Sequence, residues 1–112
     1  MNKNVQEELV PIVIDLNIKE TGEINESFLR LFGTWIQKIL GRMFGGPVIP
    51  VKIRGDAHKV KQFAQTLYGE KKYIEAYNKH GLNDPQTYKS KAQLKNSVSK
   101  FERATGIKWP FK

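Results

Sequence analysis

The apolar positions along the chain change period from one stretch to the next, and each change marks an element. From Leu9 to Ile18 (LVPIVIDLNI) the period is two. Val10, Ile12, Ile14, Leu16 and Ile18 share a face, while the other face begins with Leu9 and Val13 and ends polar with Asp15 and Asn17. That alternation predicts a strand covered fully on one side and partly on the other. Pro11 has no N–H to donate and places this strand at a sheet edge. The stretch Lys19–Glu23 (KETGE) reads as a turn in which Gly22 is free to take positive φ.

From Asn25 to Gly46 the period becomes helical. Phe28, Leu29, Leu31, Phe32, Trp35, Ile36, Ile39, Leu40, Met43 and Phe44 form a broad apolar face, and Arg30, Thr34, Gln37, Lys38 and Arg42 form one polar stripe. Asn25 is suited to cap its start, Glu26 to meet the positive helix end, and Ile24 to staple onto Leu29. Gly45-Gly46-Pro47 stops it. The width of the apolar face predicts a central core helix rather than one lying on a membrane surface.

Val48–Arg54 (VIPVKIR) alternates again, with Ile49, Val51 and Ile53 on one face and Pro50, Lys52 and Arg54 on the other. The strand–helix–strand order resembles a βαβ unit, with a connection long enough for a parallel crossover, and leaves the direction of the two strands open. Two strands alone make a poor sheet, so a third is expected from the alternating tail Ile107-Lys-Trp109-Pro-Phe111-Lys, or from a second copy of the chain.

A second helix runs from the cap Asp56 to about His80. Val60, Phe63, Leu67 and Ile74 line its apolar face, and Gly69 is a place for a break. Gly81 ends it, with Leu82 placed to close onto Tyr77. Asp84 and Pro85 open a third helix, whose narrow stripe is Leu94, Val98 and Phe101. Gly106 ends that helix, with Ile107 folding back on Phe101. The fold class expected is α+β: a single domain over 1–112 in the order β-α-β-α-α, with the central helix packed on a small sheet and a C-terminal helical hairpin. Residues 1–54 form the β-α-β core and 55–112 a basic two-helix region with an anchored tail.

Composition sharpens this. At 112 residues the chain is sized for one core. It has no cysteine, so disulfides and thiolate metal sites are excluded. The N-terminal MNKNVQEELV lacks the apolar core of a signal peptide, and no run is long and apolar enough to span a bilayer. A cytoplasmic protein with no membrane association is expected. The charge is uneven: residues 1–50 carry a net of −1 and residues 51–112 a net of +9, giving the overall +8. A near-neutral apolar half joined to a strongly basic half points to nucleic acid or another polyanion as partner.

Catalytic and metal signatures are missing. His58 and His80 stand at opposite ends of the second helix, about 33 Å apart, too far to share a metal. The carboxylates show no paired spacing, and Gly41-Arg-Met-Phe-Gly45-Gly46 follows a helix instead of opening one, so it is not a phosphate loop. No enzyme, cofactor, metal or small-molecule substrate is expected.

The basic face is the strongest functional signal. Helical spacing lines up Lys61, Gln65, Tyr68, Lys72 and Lys79 over roughly 27 Å, interrupted by Glu75. On the third helix Lys89, Asn96, Lys100 and Arg103 share a face, and Lys91 and Lys95 flank the apolar stripe. With Lys52 and Arg54 on the exposed strand face these form a candidate surface for phosphate contacts, with Tyr68 placed to stack on a base. The tight turn between the two helices fits a helix-turn-helix, with Gln86, Thr87, Tyr88 and Lys89 as reading residues, and equally an antiparallel hairpin. The alternative function is assembly, a homo-oligomer included, through a strand edge or through Trp109 and Phe111 docking on a partner.

The segments Lys79-His-Gly-Leu-Asn-Asp-Pro-Gln-Thr-Tyr-Lys89 and Phe101-Glu-Arg-Ala-Thr-Gly-Ile-Lys-Trp-Pro-Phe-Lys112 resemble small uncharacterised proteins of T4-like marine phages, over about the last 35 residues. The resemblance implies a virus-encoded cytoplasmic or virion protein. It carries over no activity and no residue role.

Overall fold

Asp15 ends the first strand. Its Oδ1 accepts the backbone N–H of Asn17 at 2.9 Å, which takes that donor away from any ladder and turns the chain. Strand β1 is therefore Ile12–Asp15, shorter than the expected run to Ile18, and Ile18–Thr21 forms a 3₁₀ turn. Gly22 closes that turn at φ +74°. The computed structural model describes residues 11–22 and 24–111. Leu9, Val10, Glu23 and Lys112, assigned above to the strand, the turn and the tail, lie outside them.

Helix α1 spans Glu26–Met43, with Asn25 Oδ1 accepting from Phe28 N at 2.9 Å. Phe32, Ile36, Ile39 and Leu40 are buried. Leu31 and Phe44, counted above on the apolar face, are exposed, and the Nζ of Lys71 sits 5.4 Å from the centroid of the Phe44 ring. The helix stops before Gly45, whose positive φ of +96° turns the chain so that Gly46 N reaches Gly41 O at 2.8 Å.

Strand β2 is Val51–Arg54, not Val48–Arg54. Pro47 and Pro50 have no N–H for a ladder, and Val48 is exposed. The two strands pair in parallel, with Ile12 opposite Val51 and Asp15 opposite Arg54. Among the described residues the sheet holds these two strands alone.

Helix α2, Ala57–His80, runs unbroken through Gly69, and helix α3 is Pro85–Thr105. Asp56 caps Lys59 N at 2.9 Å, and Asp84 caps Gln86 N at 2.8 Å. The corner between them departs from the expected closure. Gly81 has φ +89° and ψ 162°, which sends the chain outward and leaves Leu82 exposed instead of packed on Tyr77. Thr87 closes the corner instead: it is buried, and its hydroxyl donates to Gly81 O at 2.7 Å.

The architecture is the expected α+β order β-α-β-α-α. Its core gathers Ile12, Ile14 and Leu16 from the first strand and its continuation, Phe32 and Ile36 from α1, and Phe63 and Phe101 from the hairpin. Phe32 stacks on Phe101 with centroids 6.1 Å apart. The tail is not a third strand. Gly106 at φ +75° turns it inward, Ile107 and Trp109 are buried, and side chains take its amides: Ile107 N donates to Thr105 Oγ1 and Trp109 N to Glu102 Oε2. It is anchored, so Trp109 is not presented to a partner, and Phe111 is half-buried.

Candidate nucleic-acid interface

Helices α2 and α3 form an antiparallel hairpin, tied at mid-length by the buried hydroxyl of Thr66, which lies 2.7 Å from Gln62 O and 3.2 Å from Ser97 O. Thr87, one of the residues eligible to read bases in a helix-turn-helix, is sealed in the corner and cannot reach a base.

One side of the hairpin carries two hollows. The first, about 260 Å³, lies between Gln65, Tyr68 and Lys72 of α2 and Ser90, Gln93 and Ser97 of α3. The second, about 480 Å³, is lined by His58 and Gln62 of α2 and by Lys100, Arg103 and Ala104 of α3. On α2 the residues 58, 62, 65, 69 and 72 recur every three to four positions and so follow one edge. On α3, residues 90, 93, 97, 100 and 104 do the same in the opposite sense. The hollows share no lining residue but follow one seam between the helices, a groove that extends over about 21 Å at the rise of a helix. No carboxylate lines either hollow.

This groove brings together Tyr68, Lys72, Lys100 and Arg103 of the residues singled out from the sequence. The Nζ of Lys72 lies 5.5 Å from the Tyr68 ring centroid, so that face of the ring is already covered by a cation. Lys61 is exposed one row away on α2. Lys79 and Lys89 are exposed towards the hairpin corner, and Lys52 and Arg54 on the outer face of β2. None of these four lines a hollow. Glu75 does not break the groove: it pairs with Lys71 at 2.7 Å. Lys59 is held by Asn17 Oδ1 at 2.7 Å and Glu20 Oε2 at 3.3 Å.

Sequence reasoning passed over several of these positions. His58, Gln62, Ser90, Gln93 and Ser97 supply the polar lining of the groove. Their signal was the shared edge spacing, which becomes visible only once the two helices are known to lie side by side. Gln62 is buried, and its Oε1 has no hydrogen-bond partner among the described residues.

Glu70 was also missed, although it falls in line with Phe63, Leu67 and Ile74 on the apolar face. It is 6% exposed, on the opposite side of the hairpin, and its Oε1 accepts the indole N–H of Trp109 at 2.9 Å. Burial pushes its carboxyl above the usual range, and the Trp109 hydrogen bond takes back part of that rise.

Among the described residues no cluster of three His, Cys, Asp or Glu side chains could hold a metal, and no helix is long and apolar enough to cross a membrane. The chain matches no family model, no curated protein and no solved structure.

Proposed function

We propose that this protein is a non-catalytic module that binds nucleic acid through its phosphates along the α2–α3 groove. The observation that carries the reading is a helix–helix groove lined by Lys72, Lys100, Arg103, His58 and neutral hydrogen-bonding side chains, with no carboxylate in either hollow. A polyanion entering it replaces small counterions and meets no fixed negative charge. The groove's length matches about six rises of one nucleic-acid strand. Contacts of this kind supply affinity and salt dependence and little sequence information. Lys61, Lys79 and Lys89 and the strand residues Lys52 and Arg54 would add long-range attraction rather than direct contact.

The test is binding of a fluorescent strand of about 20 nucleotides, single- or double-stranded DNA or RNA, across a range of salt. The expected result is tight binding at low salt, a steep loss as salt rises, and loss in Lys72→Glu/Lys100→Glu. No binding of any of the four at low salt would overturn the reading.

A second reading, self-assembly along a strand edge, has one observation in its favour: among the described residues the parallel sheet has two strands and hence two open edges. Sedimentation separates the readings, because association through strand edges persists at high salt. The phage-like wording of the C-terminal third fits either role.

A further inference from the structure

Opposite the groove, α3, α2 and the tail enclose a second cleft of about 500 Å³. A neighbouring hollow of about 460 Å³ continues it towards α1, sharing Glu70, Tyr73 and Phe111 with it. Glu70 stands where the two meet. One of its oxygens, Oε1, is taken by Trp109. The other, Oε2, has no hydrogen-bond partner among the described residues and is not sealed from solvent, so it is open where the cleft and the neighbouring hollow meet.

Three features of the cleft limit what can fill it. Its walls include the half-buried rings of Tyr73 and Phe111, which suit a flat π system, while the buried Trp109 closes the floor. Its deep polar atom is an acceptor, so the ligand must bring a donor; a hydrocarbon chain would leave Glu70 Oε2 dry and unpaired. Its mouth carries Lys91, Lys95 and Lys108, all exposed, against one further carboxylate, Glu102, whose Oε2 is occupied by the Trp109 N–H, so the mouth is net positive and suits an anion. A flat heteroaromatic ring with an N–H, joined to a phosphate, meets all three requirements.

We propose that this cleft is a nucleotide site: the base lies against Tyr73 and Phe111 and donates an N–H to Glu70 Oε2, while the phosphate meets Lys91 and Lys95. The cleft volume is in the range of small-molecule sites. The site lies across the hairpin from the phosphate groove and stands without it. The same chemistry is offered by a free mononucleotide and by the terminal nucleotide of a strand.

The experiment is calorimetric titration of the full chain with AMP, GMP, CMP and UMP, each against its free nucleoside and against inorganic phosphate. At least one mononucleotide is expected to saturate, with the nucleoside and phosphate weaker by about tenfold or more. Lys91→Glu/Lys95→Glu should weaken it by a similar factor, while Lys72→Glu/Lys100→Glu leaves it unchanged. Glu70→Gln is the sharper variant. Its amide oxygen can still accept from Trp109, which turns an NH₂ donor into the cleft and changes the order of preference among the four bases. Competition with a 5′-phosphorylated strand of about 20 nucleotides assigns the source: displacement identifies a strand end, and independent binding a free nucleotide. If no mononucleotide binds at millimolar concentration to the folded protein, or if neither Glu70→Gln nor the Lys91/Lys95 pair changes the binding, the proposal fails. Strand binding in the groove is scored separately, so either site can fail alone.

Discussion

The indole N–H of Trp109 donates to Oε1 of Glu70 across 2.9 Å, joining residues 39 apart and fixing the tail to the middle of the hairpin. The same ring packs edge-on against Phe101, with centroids 5.3 Å apart. Trp109→Ala should therefore remove about 3–5 kcal/mol, a large share of the stability of so small a domain. Trp109→Phe should cost about 1–3 kcal/mol, since most of the packing remains but the buried Glu70 loses its donor. Urea denaturation of both variants measures this. A Trp109→Ala variant as stable as the parent would show that the tail is not anchored.

Glu70 also sets a pH dependence. Its carboxyl is raised above the ordinary 4.5 by burial, so the folded state keeps the proton to higher pH than the unfolded chain does. Stability is highest below that ordinary value. It is lost as pH rises towards the folded value, and the loss is complete above it. Glu70→Gln keeps an acceptor for Trp109 and removes the titration. Its melting temperature should exceed the parent's near neutral pH, with the gap narrowing as pH falls to about 4. A gap independent of pH would mean that Glu70 is not the titrating group.

Gly69 and Gly106 should respond to alanine in opposite directions. Gly69 lies inside α2, and a Cβ there would meet Leu94 Cδ1 at 3.5 Å, an ordinary contact. Gly69→Ala should stabilise by about 0.5–1 kcal/mol through helix propensity and the restricted unfolded chain. Gly106 has φ +75°, and its Cβ would come to 2.6 Å from Lys19 Cδ. Gly106→Ala should destabilise by about 1–2 kcal/mol from the left-handed backbone alone. Thermal melts of the two variants decide it.

The caps were legible because Asn25, Asp56 and Asp84 act on amides two or three residues away. So were the helical faces, whose burial follows local spacing. Most of the missed features depend on what lies across from a segment. The tail alternates like a strand, but Thr105 and Glu102 take its amides before a ladder can. The shortness of β1 and β2 is instead local: Asp15 takes the Asn17 amide, and the prolines have no N–H to give a ladder. The parallel direction of the strands needed the whole fold. The basic residues were visible as a population. Their division into a groove set and an outlying set was not, because it depends on how α3 lies against α2.

That division yields the sharpest test of the groove. If binding reflected only net charge, every lysine removed would weaken it alike, wherever it sat. If phosphates sit in the groove, Lys72→Ala and Lys100→Ala should each lower the slope of log affinity against log salt by about 1 and weaken binding equally for all sequences. Lys79→Ala and Lys89→Ala change the net charge by the same amount, but neither residue lines a hollow. They should slow association at low salt and leave the slope nearly unchanged. Titrations of the four variants on one duplex and one single strand, each at several salt concentrations, compare the two cases directly. Equal slopes across all four would replace the groove with a diffuse positive field. A split between the pairs would place the phosphate backbone between α2 and α3.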